Sequence, residues 1–190
     1  MKNFTLKLTL VLCCFGSFSG VAFAQNDAAK DANPSAPGAA QRAAMKKLVF
    51  LVGTWQGSGW IMFGAGKRET FTNTETVQMK LGGAAVLIEG LGKNEKGETA
   101  HNALGLLTFD AKKGVYNFRA HLANGDSLDI TPEITDKSFI WGFRNEAAKG
   151  DIRYTITLNE KGNWLEIGEF SPDGGKQWFK IFEMELKKVG

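Results

Sequence analysis

From Gly53 onward the chain keeps a two-residue rhythm that turn chemistry interrupts nine times. The first interruptions are Gly64-Ala65-Gly66, Gly82-Gly83, Asn94 to Gly97, Asp110 to Gly114 and Asn124-Gly125. They continue at Thr135 to Lys137, Glu146 to Gly150, Asn159 to Gly162 and Pro172 to Gly175. Asn-Gly and Asp-Gly-Gly accept positive φ cheaply and make tight hairpins. Nine turns join ten strands, and between them no helical stretch is long enough for a parallel crossover.

Alternation is clearest in Asp151 to Asn159, where Ile152, Tyr154, Ile156 and Leu158 share one face and Arg153, Thr155 and Thr157 the other. Phe71, Val77 and Met79 oppose Thr70, Thr72, Thr74 and Thr76 in the second strand. Trp178, Phe182, Met184 and Leu186 alternate in the last strand. Consecutive hairpins make a meander, and closing it into a cylinder removes its exposed edges. The expected fold is therefore all-β: an antiparallel up-and-down barrel of about ten strands. An open sheet or a two-sheet sandwich is the alternative. In FLVGTWQGSGW, Phe50 to Trp60, Trp55, Gly57 and Gly59 alternate with polar residues after Gly53. Glycine in a strand marks a bend or a close approach, here the sharp bend of the first barrel strand.

The segment before the barrel has three parts. Residues 1–24 read as a secretory signal: Lys2 and Lys7, an apolar run from Leu8 to Val21, and Ala22-Phe23-Ala24 as cleavage site. Residues 25–40, with Pro34 and Pro37 and almost no large apolar groups, read as a flexible leader. Gln41 to Leu48 is rich in helix formers, so a short helix is expected there, plugging one end of the barrel with Met45, Leu48 and Leu51. The single barrel domain then spans residues 41–190. Cleavage removes Cys13 and Cys14, the chain's 2 cysteines, so no disulfide or thiol chemistry is expected. It also takes Lys2 and Lys7 from the 23 basic residues and leaves the 20 acidic ones, a net charge near +1. That balance argues against a nucleic-acid partner. No later segment has the length and apolarity of a membrane-spanning helix. The expected location is the periplasm or the extracellular space.

A short helix, then FLVGTWQGSGW, then hairpin-linked strands, resembles the calycin-type barrels: lipocalins, fatty-acid-binding proteins and nitrobindins. Gly53-Thr54-Trp55 corresponds to their opening G-x-W, whose tryptophan packs across the closed end. LGGAAVLIEG, IRYTITL and SPDGGKQW are similar to a group of secreted bacterial proteins of unknown function. The resemblance covers about residues 45–188. It brings in haem as a candidate cofactor, because nitrobindins bind haem through a histidine near the C-terminus. Here that region, KQWFKIFEMELKK, contains no histidine, so haem is not carried over and no cofactor is expected.

Recognised catalytic motifs are absent: no P-loop, no G-x-S-x-G and no H-E-x-x-H. No catalytic residue and no metal ligand set is assigned. In Gly114 to Ala123, Tyr116, Phe118, Ala120 and Leu122 form one face and Asn117, Arg119 and His121 the other. In a half-buried strand the polar set faces water; turned inward, Arg119 grips a ligand carboxylate by paired hydrogen bonds. Glu75, Glu89, Glu166 and Glu169 lie among apolar neighbours. A glutamate facing the lumen has its pKa raised by desolvation, whereas an outward one discourages edge pairing.

The leading expectation is an exported barrel that holds a small apolar or amphipathic molecule. Arg119, His121 and His101 are the candidate polar contacts, and Trp60, Trp141 and Tyr154 the candidate walls. The alternatives are a haem-binding or enzymatic barrel of nitrobindin type, and a filled barrel acting through its surface as a structural or partner-binding module. The oligomeric state is left open.

Overall fold

The computed structural model describes residues 38–63 and 66–190. The expected signal, 1–24, and most of the leader lie outside them. The described chain opens with helix α1, Ala39–Met45, followed by a 3₁₀ helix, Lys46–Leu51. The helix thus begins two residues before the position expected from sequence, because Gly38 at φ 73° turns the chain directly into Ala39-Ala40. Ala-rich sequence favours α-helix, and the tighter last turns aim Met45, Leu48 and Leu51 into the barrel end, where all three are fully buried. Two hydrogen bonds fix this plug. The Tyr116 hydroxyl donates to the Ala44 carbonyl at 3.0 Å, and the Trp55 indole N–H donates to the Leu51 carbonyl at 2.8 Å.

Eleven antiparallel strands follow: β1 (Gly53–Phe63), β2 (Lys67–Lys80), β3 (Ala85–Asn94), β4 (Thr99–Asp110), β5 (Val115–Leu122) and β6 (Ser127–Ile130). The second half is β7 (Glu133–Ile134), β8 (Ser138–Asn145), β9 (Gly150–Leu158), β10 (Trp164–Ser171) and β11 (Phe179–Lys188). They form one curled sheet in the order β6-β5-β4-β3-β2-β1-β11-β10-β9-β8-β7. The meander expected from the turns is present, and pairing of the first strand with the last curls it into a barrel.

Eleven strands appear where ten were expected, and Pro132 is the cause. The stretch read as one strand between the Asn124-Gly125 and Thr135 turns divides there. Its first half, β6, pairs with β5, and its second, β7, pairs with β8. Proline donates no N–H to a ladder, so the hydrogen-bonded cylinder is interrupted at Thr131-Pro132. The two edges of the curled sheet are consecutive in the chain.

The glycines of β1 sit where its backbone meets β11. Gly57 pairs with Leu186 and Gly59 with Met184. A Cβ built on Gly57 would run into the Glu185 carbonyl and lie 2.9 Å from the Leu186 Cα. One on Gly59 would lie 2.6 Å from the Phe71 ring. Any side chain at either position collides with the facing strand, which explains why this strand carries glycine in alternation.

The core occupies the end nearest the plug. Trp55 and Trp164 meet edge to face at 5.9 Å, surrounded by Val77, Val86, Leu107 and Leu186, all at most 2 % exposed. Trp178, expected within the last strand, instead precedes β11. It lies under the Arg153 guanidinium at 4.1 Å, and a register shift near Gly168 re-phases the strand beyond it.

Candidate functional site

Towards the other end the barrel is hollow. Two adjoining cavities of about 350 and 310 Å³ occupy it. Both are lined by the same five residues from five strands: Glu75 on β2, His101 on β4, Trp141 on β8, Tyr154 on β9 and Glu166 on β10. Strand parity delivers each of them. On β2, Asn73 and Glu75 are in phase with Phe71 and Val77, and both are buried. On β10, Glu166 lies between Trp164 and Gly168, which are also buried.

Aromatic rings build the walls. Tyr154 stacks on Trp141 at 4.4 Å and 18°, and meets Phe182 edge-on at 5.4 Å. Phe182 stacks on Phe71 at 5.5 Å, and Phe118 reaches from β5 to Trp141 on β8 at 5.9 Å. Gly90 opposite Glu75 leaves space for its carboxyl, since a Cβ there would lie 2.8 Å from Oε1.

Two buried carboxyls in an apolar interior shape the electrostatics. Asn73 Nδ2 donates to Glu75 Oε1 at 2.7 Å, and the Trp164 indole N–H donates to Glu166 Oε2 at 3.3 Å. Among the described residues neither forms an ion pair. Desolvation raises the pKa of Glu75 to about 8, helped by the charge of Glu166. Burial raises Glu166 to about 7, against the opposing effect of the Trp164 hydrogen bond. Burial, then the charge of Glu166, pushes the Tyr154 phenol up to about 12. His101 counts as exposed by surface area, yet desolvation lowers its pKa. Its place at the rim reconciles the two, since solvent reaches the residue while the cavity walls crowd the imidazole.

The six residues singled out from sequence divide evenly. His101, Trp141 and Tyr154 line the cavities. Trp60, Arg119 and His121 do not. Trp60 has opposite parity to Trp55 and Ile61, and the Arg68 guanidinium covers it at 3.9 Å on the outer face. Arg119 pairs with Asp129, its register partner on β6, with both side chains more than half exposed. An unpaired guanidinium inside would bear the full cost of desolvation. His121 is exposed on the same outer face. Of the four glutamates, Glu89 is exposed and Glu169 is bonded outside to Arg153 at 2.7 Å, leaving Glu75 and Glu166 inward. Asn73 was not singled out. The signal that finds all three inward polar residues is parity with apolar neighbours: Phe71-x-Asn73-x-Glu75-x-Val77, and Trp164-x-Glu166.

The imidazole that lines both cavities is His101 on β4, away from the C-terminal strands where a nitrobindin-type ligand is expected. The inward positions of the last two strands include Trp164, Glu166, Gly168, Phe182, Met184 and Leu186, and none is a histidine.

Comparison with known proteins places the fold. No protein-family model matches the chain, and no curated protein is similar to it in sequence. Among solved structures, Rv2717c from M. tuberculosis is similar, with a TM-score of 0.55 and 11% sequence identity. The match covers 82% of this chain and 99% of that one. At that identity the likeness extends to the fold alone, a curled antiparallel sheet.

Proposed function

We propose that this chain is an exported carrier that holds a small, largely apolar or amphipathic molecule in the open half of its barrel. The observation that supports the reading is the contrast between the barrel's ends. One is packed solid by Met45, Leu48, Leu51, Trp55 and Trp164; the other holds cavities lined by aromatic rings and a few convergent polar groups. That combination is the usual chemistry of a small-molecule site. Burying ligand surface contributes about 25 cal/mol per Å² of apolar area, and Asn73, Glu75 and Glu166 orient whatever polar group the ligand carries. The N-terminal 24 residues, read as a signal, support export.

Mass spectrometry of an organic extract from protein purified in its native compartment tests the reading. One small molecule should be enriched over an extract of a lumen-blocked Ala103→Phe variant. Equal extracts from both proteins reject it. N-terminal sequencing of the same material should begin at Gln25.

A further inference from the structure

Two buried carboxyls line the cavity, and among the described residues neither has a cation beside it. Glu75 and Glu166 are 8 % and 7 % exposed, on strands β2 and β10. Each has one carboxyl oxygen engaged, by Asn73 and by Trp164. Among the described residues no donor reaches the other oxygen of either group. Yet no buried side-chain oxygen is both sealed from the cavity and unpartnered. The free oxygens, Glu75 Oε2 and Glu166 Oε1, therefore open onto the cavities that both residues line.

Resting on the lumen reading above, we propose that the ligand carries a cationic nitrogen, a primary or secondary ammonium on an apolar or aromatic body, seated between Glu75 and Glu166. An ammonium supplies the donors that the two free oxygens lack. Trp141 and Tyr154, stacked on each other, line the same space with aromatic carbon against which the ligand's apolar body packs. An anionic head finds no cation there among the described residues, and Arg119, the side chain that would receive it, is outside with Asp129. A hard metal ion prefers six or more oxygen ligands, and this ring of two carboxyls and aromatic carbon suits an organic cation better.

Ammonium binding favours the ionised carboxylates, so loading the site releases protons and affinity rises with pH. Other titratable groups facing the cavities are Tyr154 on β9, His101 on β4 and Glu69 at the mouth end of β2. Tyr154 stays neutral through this range, and His101, with its lowered pKa, adds no cation above neutral pH. Glu69 is engaged by Lys67 at 2.9 Å.

Three matched probes test this by tryptophan fluorescence and native mass spectrometry: n-octylamine, 1-octanol and octanoate. The expected result at pH 8 is amine affinity at least tenfold above both analogues, falling at least tenfold at pH 5. In the isosteric Glu75→Gln, Glu166→Gln double variant the amine should lose that advantage while the melting curve stays cooperative, which shows that the barrel is intact. If octanol or octanoate binds as tightly as the amine, or the double variant keeps full amine affinity, the ammonium site is overturned and the lumen reading stands. If all three probes fail to bind, both fall.

Discussion

At the scale of single residues the two interior glutamates set the protein's response to pH. In an unfolded chain each ionises near 4.5; in the folded barrel they hold their protons to about 8 and about 7. Between those limits the folded state binds more protons than the unfolded one, so stability falls as pH rises and levels off above about 8. The contribution is complete below about pH 4 and lost through the folded pKa values. Glu75→Gln combined with Glu166→Gln removes this dependence. The wild-type melting temperature should fall from pH 5 to pH 8 relative to the double variant, and parallel melting curves across that range would show that the carboxyls are not held neutral. Gly57 is sensitive for a different reason. Gly57→Ala puts a methyl group against the β11 backbone, which no rotamer change relieves. Overpacking of this kind costs about 1–3 kcal/mol or more, read as a lower denaturant midpoint.

At the scale of elements, the plug and the seam differ in strength. Leu48, fully buried in the 3₁₀ helix, closes the packed end. Leu48→Ala should destabilise by about 2–5 kcal/mol, the usual range for a buried leucine, with guanidinium unfolding as the measurement. The seam is weak because β6 has four residues and β7 two, and neither bonds to the other across Pro132. Local opening follows short pairing. Amides of β6 and β7 should exchange with deuterium before those of β1 to β4, and uniform protection around the barrel would contradict the interruption. Turn chemistry located the hairpins of the meander but neither the break at Pro132 nor the start of β11 after Trp178. The division at Pro132 was legible in principle, since proline in a run demotes it, but period-two patterning on both sides hides it.

At the scale of the molecule, one barrel is packed core at one end and hollow at the other. Ala103 faces the inner cavity in phase with Gly105 and Leu107. Ala103→Phe should fill that space and weaken ligand binding at least tenfold while the melting curve stays cooperative, as calorimetry with octylamine can show. A binding loss accompanied by unfolding would mean that the cavity is too small to take the ring. Several polar groups look equally suitable in the sequence, and none outranks the others there. A lone Arg119 or His121 looks as suitable as Glu75 until the face of each strand is known.

Alternation and turn residues alone determined that this chain is a meander of antiparallel strands with an apolar plug, because period and φ preference are local properties. Glu75, Glu89, Glu166 and Glu169 all lie among apolar neighbours in the sequence, which did not separate the inward pair. Which face of each strand turned inward depended on how the sheet curled, through the β1–β11 pairing at Gly57 and Gly59. Only that curling brought five strands' side chains around one space and put Trp60, Arg119 and His121 on the outer face. Residues far apart in sequence become neighbours there through register and curvature, which no local pattern encodes.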